Sequence, residues 1–524
     1  MGHTAENTLH RILVWLLLLV MAIAVQADDG GVLNRKIQLP KSKESIYKLL
    51  RQVSDKSGYL FIYDSQIIDN DKEVKIAKGE YTLREAIYAI TGNNRLKITV
   101  IGSHILLQLP EQKKVYNTPQ AVKTVEPVEN EYFTFTGMIY DRITDEPLAY
   151  STVGVNNTTI GTISNQDGEF KLILPDSLRH SIIRLTRVGY ENQEIEAQLL
   201  EGQHVIFTLE PKVIPLQEII VRAVDPRQEI TRMLARRKFN YPSVPTYITA
   251  FYREGIEHKK KNIDITEAIL KVYKTRYQSP SNFDQVKLVK MRRIRNAQES
   301  DTIFTKMKSG INSCLTLDLM KELPDFLNLD DWDKYDYTHT DISVTDGRRV
   351  NIISFEQKDY ITEPLYKGRL FIDAESQALV EARFEVNPKY ISMATDMYIE
   401  KKNKDLKLTL EGAHYTVSYK LSGDSIYYIN HVRGDIDFKV KRKRKLFSTP
   451  LHLWFEMVNC KVDTDDVNGF SRKERIPTRN IFSDIKYNYD KDFWGHFNVI
   501  LPEDKLKELI INNLSEVSEI EDIK

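Results

Sequence analysis

The sequence predicts a multi-domain, β-rich protein: a small α+β domain, then a β-sandwich, then an antiparallel-sheet-rich α+β C-terminal domain. Three observations predict it. The chain has 524 residues, and domains usually run to roughly 100–200 residues, so several are expected. The first folded stretch carries two apolar patterns of helical period among short strands, whereas from residue 132 onward period-two alternation dominates. Tyrosine (27) and phenylalanine (20) are plentiful, which suits strands, because aromatic side chains pack well on a pleated surface.

Hydrophobic residues make up 41% and charged residues 28%, with a formal net charge of zero. Ordinary buried cores are therefore available, and no global field draws the chain to nucleic acid. At the N-terminus His10 and Arg11 precede an unbroken apolar run from Ile12 to Ala24. The run is roughly 13 residues, short of the ~20 that span a bilayer. A positive flank, an apolar core and small residues before Asp28 form the layout of a secretory signal, residues 1–27, cut after Ala27. Ala22 with Ala24 is an alternative pair for the cut, and an uncleaved anchor is the rival reading. No cysteine lies near the cut to carry a lipid. The mature chain is expected to be exported and either soluble or peripheral.

Residues 34–109 read as one unit. A strand at Lys36–Leu39 leads to a helix capped by Ser42 or Ser45, with Ile46, Leu49, Leu50 and Val53 on its apolar face and Gly58 at its end. Tyr59–Tyr63 and Val74–Ala77 are strands. Thr82 and Glu85 form a capping box for a second helix that buries Leu83, Ala86, Ile87 and Ile90 and stops at Gly92. Leu96–Ile101 and Ile105–Leu109 close as a hairpin about Gly102-Ser103. The pieces SIYKLLRQVSDKSGYLFIYDSQII, VKIAKGEYTLREAIYAITGNNRLKITV and HILLQ resemble, in this order, the secretin and TonB short N-terminal domain. That resemblance implies a periplasmic module that docks an envelope protein partner, an anti-sigma regulator in signalling receptors.

Residues 110–131 hold Pro110, Pro119 and Pro127 among polar residues without apolar period, and read as a linker. Residues 132–211 are short alternating strands separated by turn signals, which predicts a β-sandwich. The segments TGMIYDRITDEPLAYSTVGVNNTTIGTISNQDGEFKLILP and RLTRVGYENQEI resemble the carboxypeptidase regulatory-like domain common in Bacteroidetes envelope proteins. This module accompanies carboxypeptidases and does not perform their chemistry. Gly168 follows Asn165-Gln166-Asp167 where a tight turn needs positive φ. The stretch LQEIIVR at Leu216–Arg222, inside a connector at 212–230, resembles the tail after this module in TonB-dependent receptors.

Residues 231–524 form a β-rich domain of unknown function. A helix at Pro226–Lys238 enters it and ends before Pro242. A helical insert is expected at Leu315–Leu329, between extended stretches that include Leu370–Asp373, Leu406–Leu421 and Leu451–Lys461. Leu506, Leu509 and Ile510 mark the apolar stripe of a terminal helix. The segments NYPSVPTYITAFYRE, YKGRLFIDAESQALVEARFEV and DFWGHFNVILPEDKL resemble the C-terminal region of Bacteroidetes proteins that carry the preceding module, with no activity implied. Charges on both faces of the strands, as at Lys407, Glu411 and His414, and a charged end favour a curved antiparallel sheet with packed helices over a small barrel.

No catalytic, cofactor or metal residue emerges. There is no HxxxH, no GxSxG and no GxxxxGK[ST]. His452 and Glu456 are four apart, but on a strand that spacing carries no ligand geometry. Asp463, Asp465 and Asp466 lie in a loop with some calcium-loop character that lacks the glycine and glutamate register of such a loop. Cys314 and Cys460 could pair in an oxidising compartment; the alternative is two buried thiols. Lys439, Lys441, Arg442, Lys443, Arg444 and Lys445 make the strongest charge run, read either as a solvated hairpin tip or as a patch for an anionic envelope lipid or polysaccharide.

The expectation is a non-catalytic envelope interaction protein, periplasmic and peripheral to the outer membrane, supporting or signalling with TonB-linked systems. Its N-terminal domain would dock a protein partner, with no nucleic acid involved, and its sandwich would act as a spacer. The alternative is a carrier holding a lipid, glycan or peptide on the C-terminal sheet; a hydrolase ranks below both.

Overall fold

A computed structural model describes residues 29–507 apart from 64–66, 71, 102–103, 110–130, 213–224, 260, 279–282, 296–305, 308–309, 402–404, 424, 444–445, 479–493 and 505. The signal cut after Ala27, nearly all of the 110–131 linker, the LQEIIVR stretch and the terminal-helix residues Leu509 and Ile510 lie outside the described residues. The chain divides into two compact units. One is Met1–Val128 with Gln203–Phe207, the other Glu129–Gly202 with Thr208–Lys524.

The first unit runs α1 (Asp29–Leu33), β1 (Lys36–Leu39), β2 (Ser42–Ser45), α2 (Ile46–Ser57), β3 (Leu60–Tyr63), β4 (Glu73–Ile76), β5 (Gly79–Thr82), α3 (Leu83–Thr91), β6 (Lys97–Ile101) and β7 (His104–Gln108). Local chemistry fixes both main helices. Ser45 caps α2 by accepting the Lys48 N–H, while Ser42 belongs to β2. Gly58 and Gly92 end α2 and α3 in the left-handed region. The Thr82 hydroxyl accepts the Glu85 N–H at 3.2 Å, and the Glu85 carboxylate accepts the Thr82 N–H at 2.8 Å. The helices bury the apolar stripes read from their spacing. β3 pairs parallel to β7, which pairs antiparallel to β6; β1 joins β5 and β2 joins β4.

The second unit begins with β8 (Tyr132–Asp141), β9 (Thr152–Val155), β10 (Gly161–Ile163), β11 (Glu169–Pro175), β12 (Ile182–Thr186) and β13 (Gln193–Glu196); in β14 (His204–Leu209), which follows, His204–Phe207 count with the first unit. One sheet has the order β10-β9-β12-β13, and β11 pairs with β8 in the facing layer. The side-chain oxygen of Asn165 accepts the N–H groups of Asp167 and Glu169 at 3.0 and 2.8 Å, and so folds the turn that Gly168 completes at φ 79°.

Next come α4 (Pro226–Asn240), β15 (Thr246–His258), β16 (Lys261–Lys274), β17 (Gln285–Arg295), β18 (Lys306–Met307), α5 (Gly310–Thr316), β19 (Tyr335–Thr345), β20 (Arg348–Gln357), β21 (Tyr366–Asp373), β22 (Leu379–Val386), β23 (Ile399–Lys401), β24 (Leu406–Leu421), β25 (Tyr427–Arg442) and β26 (Thr449–Asp463). Ten of these strands form one sheet in the order β17-β16-β15-β26-β25-β24-β22-β21-β20-β19, with β17 and β19 at its edges. The insert expected as a helix at Leu315–Leu329 differs. α5 lies earlier and ends at Thr316, and turns with short 3-10 segments at Asp325–Leu327 and Leu329–Lys334 follow. Pro324 and the aspartates Asp318 and Asp325 disfavour a continuous helix there.

Two cross-strand pairs pin the register at the centre of the sheet. Gly255 lies opposite Trp454, and Gly434 opposite Phe455. Each ring lies over the bare backbone of its glycine. A Cβ would stand 2.5 Å from Trp454 Cε2 at Gly255 and 2.4 Å from Phe455 Cζ at Gly434. One face of the sheet buries Ile248, Ala250 and Tyr252 against Ile230 and Met233 of α4 and against Phe326 and Tyr335. The other face buries Phe251, Ile269, Val458 and Cys460 against Ile163 of the sandwich and against Val499 and Ile500. The sandwich and the sheet are thus parts of one packed body, and the sandwich does not stand off as a spacer.

Candidate functional site

Strand alternation places Arg253 on the same face as Phe251, turned into the layer beneath the sandwich. Its side chain is fully buried. Its Nε donates to Glu267 at 2.8 Å, and its Nη1 lies 3.4 Å from Glu456 and 3.6 Å from Glu503. Nη2 donates to the Ile500 carbonyl at 2.5 Å. Arg292 adds a second cation on Glu267, and Arg433 on Glu456 at 3.3 Å. Such a network persists only when every charge is paired, because an isolated buried ion costs several kcal/mol, roughly. Burial opposes the ionised Glu456 carboxylate, yet the His431, Arg433 and Arg253 side chains hold its pKa below the usual range.

The segment from Trp494 to Leu501 threads between the sandwich and the sheet. Asn498 hydrogen-bonds both backbone groups of Ile173 on β11. The Thr162 hydroxyl donates to the Val499 carbonyl at 3.4 Å, Asn165 Nδ2 to the Leu501 carbonyl at 3.3 Å, and the Cys460 thiol to the Asn498 carbonyl at 3.2 Å. Lys507 pairs with Glu169 at 2.5 Å. Further along the sheet Tyr150, held at φ 58°, stacks on His431 at 5.0 Å, and Arg433 lies over the Tyr150 ring. The Gly189 N–H donates to the Val344 carbonyl of β19 at 2.8 Å. Lys420 Nζ approaches the Ile160 carbonyl at 3.4 Å, and burial pushes its amine down to about 8.

A second buried network lies at the β16–β17 end. Lys274 sits 3.1 Å from Asp284 and 2.8 Å from Asp318. Lys321 pairs with Asp284 and donates to the Thr275 hydroxyl at 2.6 Å. The Tyr277 and Tyr419 hydroxyls donate to Asp318 at 2.6 and 2.9 Å. The two lysines and two aspartates balance, and their partners occupy them. Beside them runs an open groove of about 780 Å³ lined by Tyr273, Thr275, Phe283, Asp284, Arg472 and Arg475, with Phe283 81% exposed.

Burial pushes the Glu254 carboxyl up to about 7, although the Tyr252 hydroxyl, donating at 2.6 Å, opposes the rise. It lies under Gly310 at the start of α5 and beside the buried Cys314. Burial pushes the Cys314 thiol up, away from the thiolate that would act as a nucleophile. Among the described residues, no group of three or more His, Cys, Asp or Glu side chains is arranged to hold a metal.

The residues singled out in sequence are scattered. Cys314 and Cys460 are free and buried in different core clusters, Cys314 with the helical layer and Cys460 under the sandwich, so they do not pair. His452 and Glu456 share one strand but serve different partners: His452 bonds Asp437 at 2.9 Å, and Glu456 takes the two arginines. Asp463 pairs with Lys461 at 2.7 Å, while Asp465 and Asp466 are exposed. Lys439 pairs with Glu411 at 2.5 Å. Lys441, Arg442 and Lys443 are exposed at the β25–β26 tip, and Arg444 and Lys445 lie outside the described residues. The Arg253 network is not legible in the sequence. Its one signal is a charge two residues after Phe251, on a strand that also carries Glu254 and Glu257.

Residues 135–221 match the family model of the CarboxypepD_reg-like domain, so the sandwich is a carboxypeptidase regulatory-like module. No curated protein matches the chain. Among solved structures, the chain is similar to a DUF1329 family protein from Desulfovibrio piger at 15% identity and a TM-score of 0.20, over 47% of this chain and 96% of that one. It is similar to the Pseudomonas aeruginosa MucA/MucB complex at 8% identity and 0.15, over 44% and 93%, and to lipovitellin at 9% and 0.21, over 44% and 26%. Scores this low carry no argument about this chain. Among the described residues no helix is long and apolar enough to cross a membrane.

Proposed function

We propose that this chain is an exported, non-catalytic interaction protein of a bacterial cell envelope. Residues 34–109 would act as a docking module of the secretin and TonB short N-terminal kind, supporting or signalling with TonB-linked systems of a Bacteroidetes outer membrane. The observation that carries the reading is the covering of the central sheet on both faces by the chain's own residues: Ile163, Val499 and Ile500 on one, α4 and Phe326 on the other. A sheet so covered offers rigid edges and tips for contact rather than a ligand-holding face. The paired state of the buried charges supports the same reading, since catalysis needs groups free to exchange protons or electrons with a substrate.

The test is a crosslinked pull-down of the tagged protein from intact envelopes, with and without residues 34–109. A specific partner that vanishes with the deletion supports docking through that unit. A partner retained without it overturns that assignment. A carrier is the second reading, and the groove by Phe283, Arg472 and Arg475 favours it. Native mass spectrometry of the purified protein would show the bound mass that this reading requires.

A further inference from the structure

The β25–β26 tip carries an unusual surface. Leu446 is 87% and Phe447 85% exposed, the most exposed large apolar side chains among the described residues. They follow Lys441, Arg442 and Lys443, all exposed. The sheet brings more cations to the same end. The Lys259 N–H, in the β15–β16 turn, donates to the Pro450 carbonyl at 3.2 Å, so that turn lies against the tip. Lys259 is itself exposed. On the other side, β24 starts with Leu406 opposite Arg442 and Lys407 opposite Lys441.

Two exposed lysines directly across a ladder repel one another, and an anionic surface laid against them relieves that cost. Of the acidic side chains nearby, Glu411 is paired with Lys439. At the tip the Asp405 carbonyl accepts the Lys443 N–H at 2.9 Å. A polyanion such as a sulfated or phosphorylated polysaccharide would satisfy the cations but leave Leu446 and Phe447 in water. An anionic bilayer satisfies both, because its headgroups meet the lysines while the boundary below takes apolar side chains.

We propose that this end of the sheet is a membrane seat. Leu446 and Phe447 enter the headgroup–acyl boundary of an anionic bilayer, and Lys259, Lys407, Lys441 and Lys443 lie on its surface. The seat belongs to the second unit and is separate from partner docking by residues 34–109, so its failure leaves that reading standing.

The experiment is sedimentation of the full mature chain with vesicles of phosphatidylcholine, pure or mixed with phosphatidylglycerol, at low and high salt. The chain is expected to partition onto mixed vesicles only, and more weakly as salt rises. A cation near an anionic surface is worth about fivefold in partitioning, so Lys441→Glu with Lys443→Glu should lower binding by at least about tenfold. Leu446→Ser with Phe447→Ser should lower it by about tenfold or more with the charges intact, and should abolish the binding that survives high salt. All four positions are exposed, so the variants fold. Binding abolished by salt and indifferent to the Leu446 and Phe447 changes would overturn the bilayer and point to an anionic polysaccharide. Absence of binding to mixed vesicles would overturn the seat altogether.

Discussion

The side-chain amide of Asn498 closes on the backbone of Ile173: its Oδ1 accepts the Ile173 N–H at 2.7 Å, and its Nδ2 donates to the Ile173 carbonyl at 3.1 Å. Asn498 therefore behaves as one more residue of the β11 ladder, supplied from over three hundred positions later in the chain. Val499 and Ile500 follow it into the layer between sandwich and sheet.

Replacing Asn498 removes both bonds and leaves a buried N–H and a buried C=O unpaired. An unsatisfied buried group costs about 1–3 kcal/mol. Asn498→Ala is expected to destabilise the second unit by on the order of 2 kcal/mol, read as a lower urea midpoint at unchanged slope. An unchanged midpoint would mean that the segment from Trp494 to Leu501 contributes nothing to holding the layers together.

Arg253 tests the same layer through charge. Glu267 and Glu456 are as buried as the arginine between them. Arg253→Met keeps much of the side-chain volume but leaves Glu267 to Arg292 and Glu456 to Arg433, and breaking a buried pair costs up to about 3–5 kcal/mol. Glu267→Gln in the same chain should recover part of the loss, because it removes one carboxylate that has lost a cation. A single variant as stable as the parent protein would show that the network is solvated.

The glycine–aromatic pairs predict an overpacking effect. Gly434→Ala places a methyl group 2.4 Å from Phe455 Cζ, a ring held in a packed sheet. Such strain costs about 1–3 kcal/mol. Adding Phe455→Leu, which withdraws the ring edge, is expected to make the alanine less costly, and thermal denaturation of the four-member cycle measures that coupling.

What was legible in the sequence was local. Ser45, Gly58, Thr82 with Glu85, and Gly92 each act on the backbone within a few residues, so their chemistry can be read without knowing the fold. The turn at Asn165–Gly168 is of the same kind. The Arg253 network was not legible, because an arginine in a strand ordinarily faces water, and only the arrival of Glu267, Glu456 and the Ile500 carbonyl from distant segments makes its burial tolerable. The basic tip was visible as a charge run. Its neighbours Lys259 and Lys407 were not, since they reach it only through strand register. The insert after Thr316 was misread because its apolar spacing imitates a helix, while Pro324 and the aspartates turn the chain.

Two titrating groups give the body a pH dependence of one sign. Burial disfavours the His452 imidazolium, but hydrogen bonds to Asp435 and Asp437 outweigh it and hold the group up to about 9. An unfolded histidine titrates near 6.5, so this contribution to stability is complete below that pH and is lost as pH rises toward 9. Glu254 is pushed up to about 7 from 4.5 by burial. Its neutral form therefore favours the fold below pH 4.5, and that advantage is lost as pH rises through 7. Both effects lower stability on going alkaline. Glu254→Gln should melt close to the parent protein near pH 4.5 and above it at pH 8, while His452→Gln should melt below the parent at pH 6 and converge with it near pH 9.5. Parallel melting curves across that range for either variant and the parent would show that the residue titrates alike in the folded and unfolded states.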